Sequence, residues 1–189
     1  MGAERGFDER RSTSYDRLAR WTLRGLYRRV AADVAAVAPP GGAVLDVGTG
    51  PGRLLHEVAA LRPDLELVGA DLSPDMVDLA RRASAAVPGR GITFIAADVG
   101  GLPWAAGSFD VVVSTLSAHH WPDPVAAAGE LTRLLRPGGR LIVHDFRFAP
   151  LGSLVAALST RDDLGQVHTG GRAFSLYTRI TTARGASPR

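Results

Sequence analysis

Residues Val44–Gly52, VLDVGTGPG, decide the fold. Val44, Leu45 and Val47 surround Asp46, and Gly48, Gly50 and Gly52 then follow at alternate positions. A short apolar run that ends in glycines reads as a buried strand turning sharply at its carboxyl end. Glycine adopts positive φ without strain and lets a ligand approach the backbone closely. The next residues, GRLLHEVAALR, have helical spacing, so the loop leads into a helix whose first N–H groups are free. Strand, glycine loop and helix in that order cradle a nucleotide-like ligand.

Working outward, the chain alternates. Upstream, Leu18, Trp21, Leu26, Tyr27, Val30, Val34 and Val37 recur at helical spacing from about Tyr15 to Ala38, and Pro39-Pro40-Gly41-Gly42 ends that helix. Downstream, LELVGAD is a strand. SPDMVDLARRASAAV is a helix with Ser73 as N-cap and Pro74 at its first position, stopped by Pro88-Gly89. ITFIAAD, ending in Asp98, and FDVVVS are the third and fourth strands. PDPVAAAGELTRLL is a helix capped by Asp123; RPGG is a tight turn; RLIVHDF is the fifth strand. A short helix at about 151–159 follows, and RAFSLYTRITTAR alternates like a long final strand. GQVHTGG is at most a stub of a sixth. Strands alternating with helices predict an α/β fold with a doubly wound, mostly parallel sheet. One domain, 1–189, is expected, with 1–38 as an N-terminal helical lid.

Composition narrows the chemistry. The 189 residues are 46% hydrophobic, which fits one globular domain. No apolar run is long enough for a membrane helix. The polar opening MGAERGFDERRSTSYDR has no signal core, so the expectation is a cytoplasmic protein. There are no cysteines, which excludes disulfides, thiolate metal sites and cysteine nucleophiles. All 22 basic residues are arginine, so lysine chemistry, including a Schiff base, is absent as well. Net charge is only +3, and the excess sits in the N-terminal segment with Arg5, Arg10, Arg11, Arg17, Arg20, Arg24, Arg28 and Arg29. That segment reads as a solvated helical face, with RNA or an anionic substrate as the alternative.

The dinucleotide fingerprint G-x-G-x-x-G fails, because Arg53 stands where its third glycine belongs. Asp46 precedes the loop and favours a cation over a pyrophosphate. Asp71 ends the second strand, where an acid accepts hydrogen bonds from ribose hydroxyls. Asp98 and the N–H of Val99 can read the edge of an adenine, and Leu72 and Val99 can pack on its faces. The ligand expected is adenine, ribose and a positively charged end, without phosphates.

With those features the chain resembles a class I S-adenosylmethionine-dependent methyltransferase. It is most similar to the small-molecule group that includes the C-methyltransferases of quinone biosynthesis. VLDVGTGPG, LVGADLSPDMVDLA, FIAADVGGLPWAAGSFDVVVSTLSAHHW and ELTRLLRPGGRLIVHDF carry the resemblance, in order, over about residues 43–147. YDRLARW, Tyr15 to Trp21, resembles that group's entry helix. The resemblance implies a Rossmann-like sheet of seven strands with the last antiparallel and S-adenosylmethionine as cofactor. It implies that Asp46, Gly48, Thr49 and Gly50 hold the methionine end and that Asp71 binds the ribose, with Leu72 beside the adenine. Asp98 and Val99 would read the adenine; Ser114 would lie beside the methionine moiety, and Tyr15 would approach from the lid.

Methyl transfer is mainly alignment of nucleophile, methyl and sulfur. A base is needed only for a nucleophile that holds its proton. The candidates are His119 and His120 in STLSAHHW, which this sequence does not separate. His144 and Asp145, ending the fifth strand, read as structural; His56 and His168 read as surface residues, and Trp104 as core. No metal-ligand spacing is present. The expected acceptor is a small molecule. With little chain available over the sheet, the roof of the site comes from the N-terminal helix and residues 148–172 or from a second subunit in a homodimer. Two alternatives stand beside this reading: a non-catalytic cofactor-binding partner, and an RNA methyltransferase using the basic N-terminus. Nothing in the chain supplies an aromatic stacking module for RNA.

Overall fold

The computed structural model describes residues 23–86, 91–171 and 175–186. Helix α1 covers 23–37 of these. Leu26, Val30 and Val34, four apart, form its buried stripe together with Ala31. The rest of the predicted first helix, with Tyr15, Leu18 and Trp21, lies outside the described residues.

Five strands and four helices follow in alternation: β1 (Ala43–Val47), α2 (Arg53–Leu61), β2 (Glu66–Asp71), α3 (Pro74–Ala85), β3 (Ile92–Ala96), β4 (Phe109–Thr115), α4 (Pro124–Leu134), β5 (Leu135–Phe146) and α5 (Gly152–Ser159). Two more strands, β6 (His168–Gly170) and β7 (Tyr177–Ala183), complete a seven-stranded sheet ordered β3-β2-β1-β4-β5-β7-β6. Local chemistry sets the boundaries. Ser73 caps α3 by accepting from Met76 N–H, and Asp123 caps α4 by accepting from the Val125 and Ala126 N–H groups, each with proline in the first turn.

The central strands are buried on both faces, as parallel strands between helix layers must be. Side-chain parity divides the core. Leu45, Val47, Val112, Leu141 and Val143 pack against α4 and α5. Val44, Val111, Val113 and Ile142 pack against α1, α2 and α3. The chain runs outward from β1 to β3 and then returns to β4 on the other side of β1. That reversal leaves a crevice at the carboxyl ends of β1 and β4, where ligands of such sheets bind.

β1 to β5 pair in parallel, and β7 lies antiparallel between β5 and β6. The connection from β6 to β7 is too short for a crossover, so the chain doubles back. The sixth strand is indeed a stub of three residues. Two boundaries differ from expectation. The third strand ends at Ala96, so Asp98 stands in the loop beyond it. RPGG is not a separate turn before β5 but an outward loop inside it: Phe109 pairs with Leu135, and pairing resumes at Val111 with Arg140. Gly138 takes φ +81° there, and the Arg184 side chain donates to Leu135 O at 2.6 Å, so the two strand ends stay in register around the loop.

Candidate active site

The glycine loop is shaped by sterics that only glycine meets. Gly48 has φ +71°, and a Cβ on it would lie 1.9 Å from Ser117 Oγ. Gly52 has φ +75°, and a Cβ there would lie 2.7 Å from the Phe94 ring. Gly50, at φ +53°, faces open space. The first and third glycines therefore pack the loop against its neighbours, and the middle one leaves room for a ligand.

Two carboxylates flank the loop. Asp46 is 1% exposed; its Oδ2 accepts from the Thr49 hydroxyl at 2.8 Å, and its Oδ1 is buried without a hydrogen-bond partner. Burial pushes the Asp46 carboxyl up to about 7, against the Thr49 hydrogen bond and with help from the Asp71 charge. Asp71 accepts from Gly50 N–H at 2.7 Å and from Ser73 N–H at 2.9 Å, so it ties the glycine loop to the start of α3. Each of its oxygens keeps a further lone pair toward the cavity.

A cavity of about 500 Å³ lies over this loop. Gly48, Thr49, Gly50, Asp71, Leu72, Asp98 and Val99, all candidates named from the sequence, line it. Leu72 is 70% exposed, an apolar surface left largely uncovered. Asp98 is exposed and accepts from Gly100 N–H at 2.8 Å. Asp46 stands behind Thr49 rather than in the wall. Ser114 also lies outside the wall: it is buried on the same side of β4 as Val112, and Thr115, Leu116 and Ser117 take its place. Tyr15 lies outside the described residues, and α1 contributes Tyr27 instead. Burial raises the Tyr27 pKa first, and Asp46 raises it further. Its signal was a hydroxyl-bearing ring beside an aliphatic stripe.

The segment after β4 carries the rest of the wall. Leu116 has φ +57°, a left-handed conformation that a branched side chain adopts only under constraint. Its N–H donates to His144 O at 2.8 Å, which holds the turn. Ser117 Oγ accepts from Trp121 Nε1 at 3.1 Å while filling the space above Gly48. A 3-10 turn, Ala118–His120, then presents both histidines.

The structure separates those two. His120 is exposed and lines the cavity. His119 is held by Asp145, which is fully buried at the end of β5. Asp145 Oδ1 lies 2.7 Å from His119 Nδ1, and Oδ2 accepts from His119 N–H at 3.0 Å. The two imidazoles lie against each other at 3.9 Å between centroids, tilted by 44°. Phe146 stands 5.5 Å from His119, 5.8 Å from Tyr177 and 5.2 Å from Phe148, whose ring is 81% exposed. His56 and His168 do not line this cavity, and Trp104 packs edge-on against Phe109 in the core. Among the described residues no three His, Asp or Glu side chains are grouped to hold a metal, and no helix is long and apolar enough to cross a membrane.

A methyltransferase-domain family model matches residues 45–143, from the glycine-loop strand through β5. The chain belongs to the methyltransferase-domain family. It is a class I, S-adenosylmethionine-dependent methyltransferase domain. It is 39% identical over 127 residues to a demethylmenaquinone methyltransferase of Thermus thermophilus, covering 67% of this chain and 57% of that one. The chain thus spans little more than half the length of that relative. Among solved structures it is similar to the plantazolicin methyltransferase BpumL, solved in complex with a monoazolic desmethylPZN analog and SAH, at TM-score 0.72 and 15% identity over 94% of this chain and 90% of that one. It is similar also to the [4+2]-cyclase SpnF, at TM-score 0.69 and 18% identity over 85% and 82%. These likenesses carry the fold, and the chemistry must come from the site.

The methyltransferase residues fit that cofactor. Asp46 Oδ1, buried without a partner among the described residues, is an acceptor that the ammonium of a sulfonium amino acid would satisfy, and a positive charge there would favour the ionised carboxylate over the neutral acid that burial favours. The Asp71 lone pairs suit a ribose diol, and the bare Leu72 surface suits a base. Among the described residues no arginine lines the cavity, which disfavours a phosphate-bearing ligand.

Proposed function

We propose that this domain methylates a small molecule bearing a hydroxylated aromatic ring, with His119 as the general base. The observation that carries the reading is the double hold of Asp145 on His119. A carboxylate that accepts from Nδ1–H fixes the tautomer and leaves the Nε2 lone pair free to accept a proton. His119 Nε2 takes the ring hydroxyl's proton, and the resulting charge makes the ring nucleophilic. Asp145 stabilises the imidazolium that forms. When bound, S-adenosylmethionine supplies a methyl group activated by its sulfonium, so the protein has to align the acceptor and handle this proton. Gly48, Thr49, Gly50 and the field of Asp46 would hold the methionine end, Asp71 the ribose, and Leu72, Asp98 and Val99 the adenine. Phe146, Phe148 and Tyr177 offer an aromatic acceptor flat surfaces beside His119. The demethylmenaquinone methyltransferase relative supports an acceptor of quinol type.

The test is methyl transfer from S-adenosylmethionine to simple dihydroxynaphthalenes, read by mass spectrometry, in the wild type and in His119→Gln. Methylated product lost in the variant, with S-adenosylhomocysteine binding intact, is the expected result. Product formed equally well by both proteins overturns the role of His119. No product from any hydroxylated ring overturns the acceptor class.

A further inference from the structure

A second cavity, of about 530 Å³, opens between α1 and the β5–β7 edge of the sheet. Leu26, Arg29 and Asp33 of α1 line it with His144 of β5 and Tyr177 and Arg179 of β7. The Arg29 side chain is exposed and makes no hydrogen bond or ion pair with any described residue. Arg179 uses one donor, Nη1, on Asp33 Oδ2 at 3.1 Å, and its other donors have no acceptor among the described residues. His144 is 5% exposed; its Nε2 lies 3.3 Å from the same Asp33 oxygen without the alignment of a hydrogen bond. Burial holds His144 down to about 4, so the imidazole is uncharged at neutral pH. Among the described lining residues two guanidinium groups thus accompany one carboxylate, an excess of one positive charge in a concave space. The fork of a guanidinium matches a carboxylate with two parallel hydrogen bonds.

The cavity lies on the far side of Phe146 from the proposed base. Tyr177 lines it, and the Tyr177 ring reaches His119 through Phe146 in two ring contacts, of 5.8 and 5.5 Å. The backbone of His144 also holds Leu116, a wall residue of the cofactor cavity.

We propose that this second cavity binds the carboxylate of the acceptor, with Arg29 and Arg179 as its donors, so that the acceptor is a hydroxylated aromatic acid. The inference rests on the methyl-transfer reading above and adds the anionic end of the substrate. A single excess charge suits a monoanion better than a doubly charged phosphate monoester.

The test uses 4-hydroxybenzoate, its methyl ester and phenyl phosphate as probes, titrated by saturation-transfer NMR into the full chain with S-adenosylhomocysteine present. The acid is expected to bind at least about tenfold more tightly than the ester, the worth of one charge-assisted hydrogen bond. Arg29→Gln and Arg179→Gln should each reduce that preference and leave S-adenosylhomocysteine affinity unchanged. Arg29 is exposed and unpaired with described residues, so its variant keeps the test valid if Arg179→Gln fails to fold. Equal binding of acid and ester, acid preference that survives both substitutions, or tighter binding of phenyl phosphate overturns the proposal. Failure of the methyl-transfer reading looks different: the arginine-dependent preference persists, but no probe is methylated and His119→Gln changes nothing.

Discussion

Asp145, buried at the end of β5, holds both the ring and the backbone of His119 across the mouth of the sheet, at 2.7 and 3.0 Å. A positioning carboxylate of this kind acts through the imidazole rather than on the acceptor. Asp145→Asn keeps the shape but can present an amide N–H to Nδ1, which favours the wrong tautomer. We expect kcat to fall by about 100-fold or more, the usual worth of a positioned base, while S-adenosylhomocysteine affinity stays the same. His119→Gln should cost a similar factor, and the double variant no more than either single one. Steady-state kinetics with a phenolic acceptor checks this; losses that multiply would show that the two residues act independently.

Gly48 and Ser117 lock the glycine loop to the segment after β4. Gly48→Ala places a Cβ at a left-handed φ, at about 1–2 kcal/mol, and drives it into the Ser117 side chain. The total loss of stability should exceed about 2 kcal/mol in urea unfolding. Ser117→Gly in the same chain should recover the clash but not the backbone strain. Additive losses in that double-mutant cycle would mean that the loop relaxes away from Ser117.

What the sequence makes legible is what short-range chemistry dictates. The glycine loop, the caps at Ser73 and Asp123, and Asp71 and Leu72 at a strand end all depend on neighbours a few residues away. The Asp145–His119 pair depends on β4 lying beside β5, and 26 positions separate its members. Ser114 fails as a wall residue because strand parity turns it into the α4 layer, and the φ of Leu116 brings the next residues to the cavity instead. RPGG looks like a terminus because proline and two glycines usually end an element; here β4 and Arg184 hold the chain in register on both sides of it. The second cavity joins α1 to β5 and β7, so no single stretch of sequence announces it.

Asp71 serves the loop before any ligand arrives, since its oxygens accept from Gly50 and Ser73 N–H. Asp71→Asn replaces one acceptor oxygen by a donor and removes the charge. S-Adenosylhomocysteine affinity should fall by about 10- to 100-fold, as expected for hydrogen bonds to a charged group. Asp98→Asn should cost less, because Asp98 is exposed and its carboxylate accepts from the Gly100 N–H alone among the described residues. Calorimetric titration separates them; equal losses would assign adenine recognition as much weight as the ribose contact.

Asp46 and His144 give stability opposite pH slopes. Burial raises Asp46 from 3.8 to about 7, so over that window the folded protein keeps a proton that the unfolded chain has released, and stability falls as pH rises. Burial lowers His144 from 6.5 to about 4, so there the unfolded chain carries the extra proton, and stability rises with pH. Between about pH 4 and 6.5 the two contributions offset each other. Relative to wild type, Asp46→Asn should therefore gain stability progressively as pH rises through that window, and His144→Gln should lose it. Urea midpoints measured from pH 4 to 7.5 test both signs at once. Difference curves that stay flat would show that neither group is shifted by its burial, and a His144→Gln curve rising with pH would place that imidazole in its charged form.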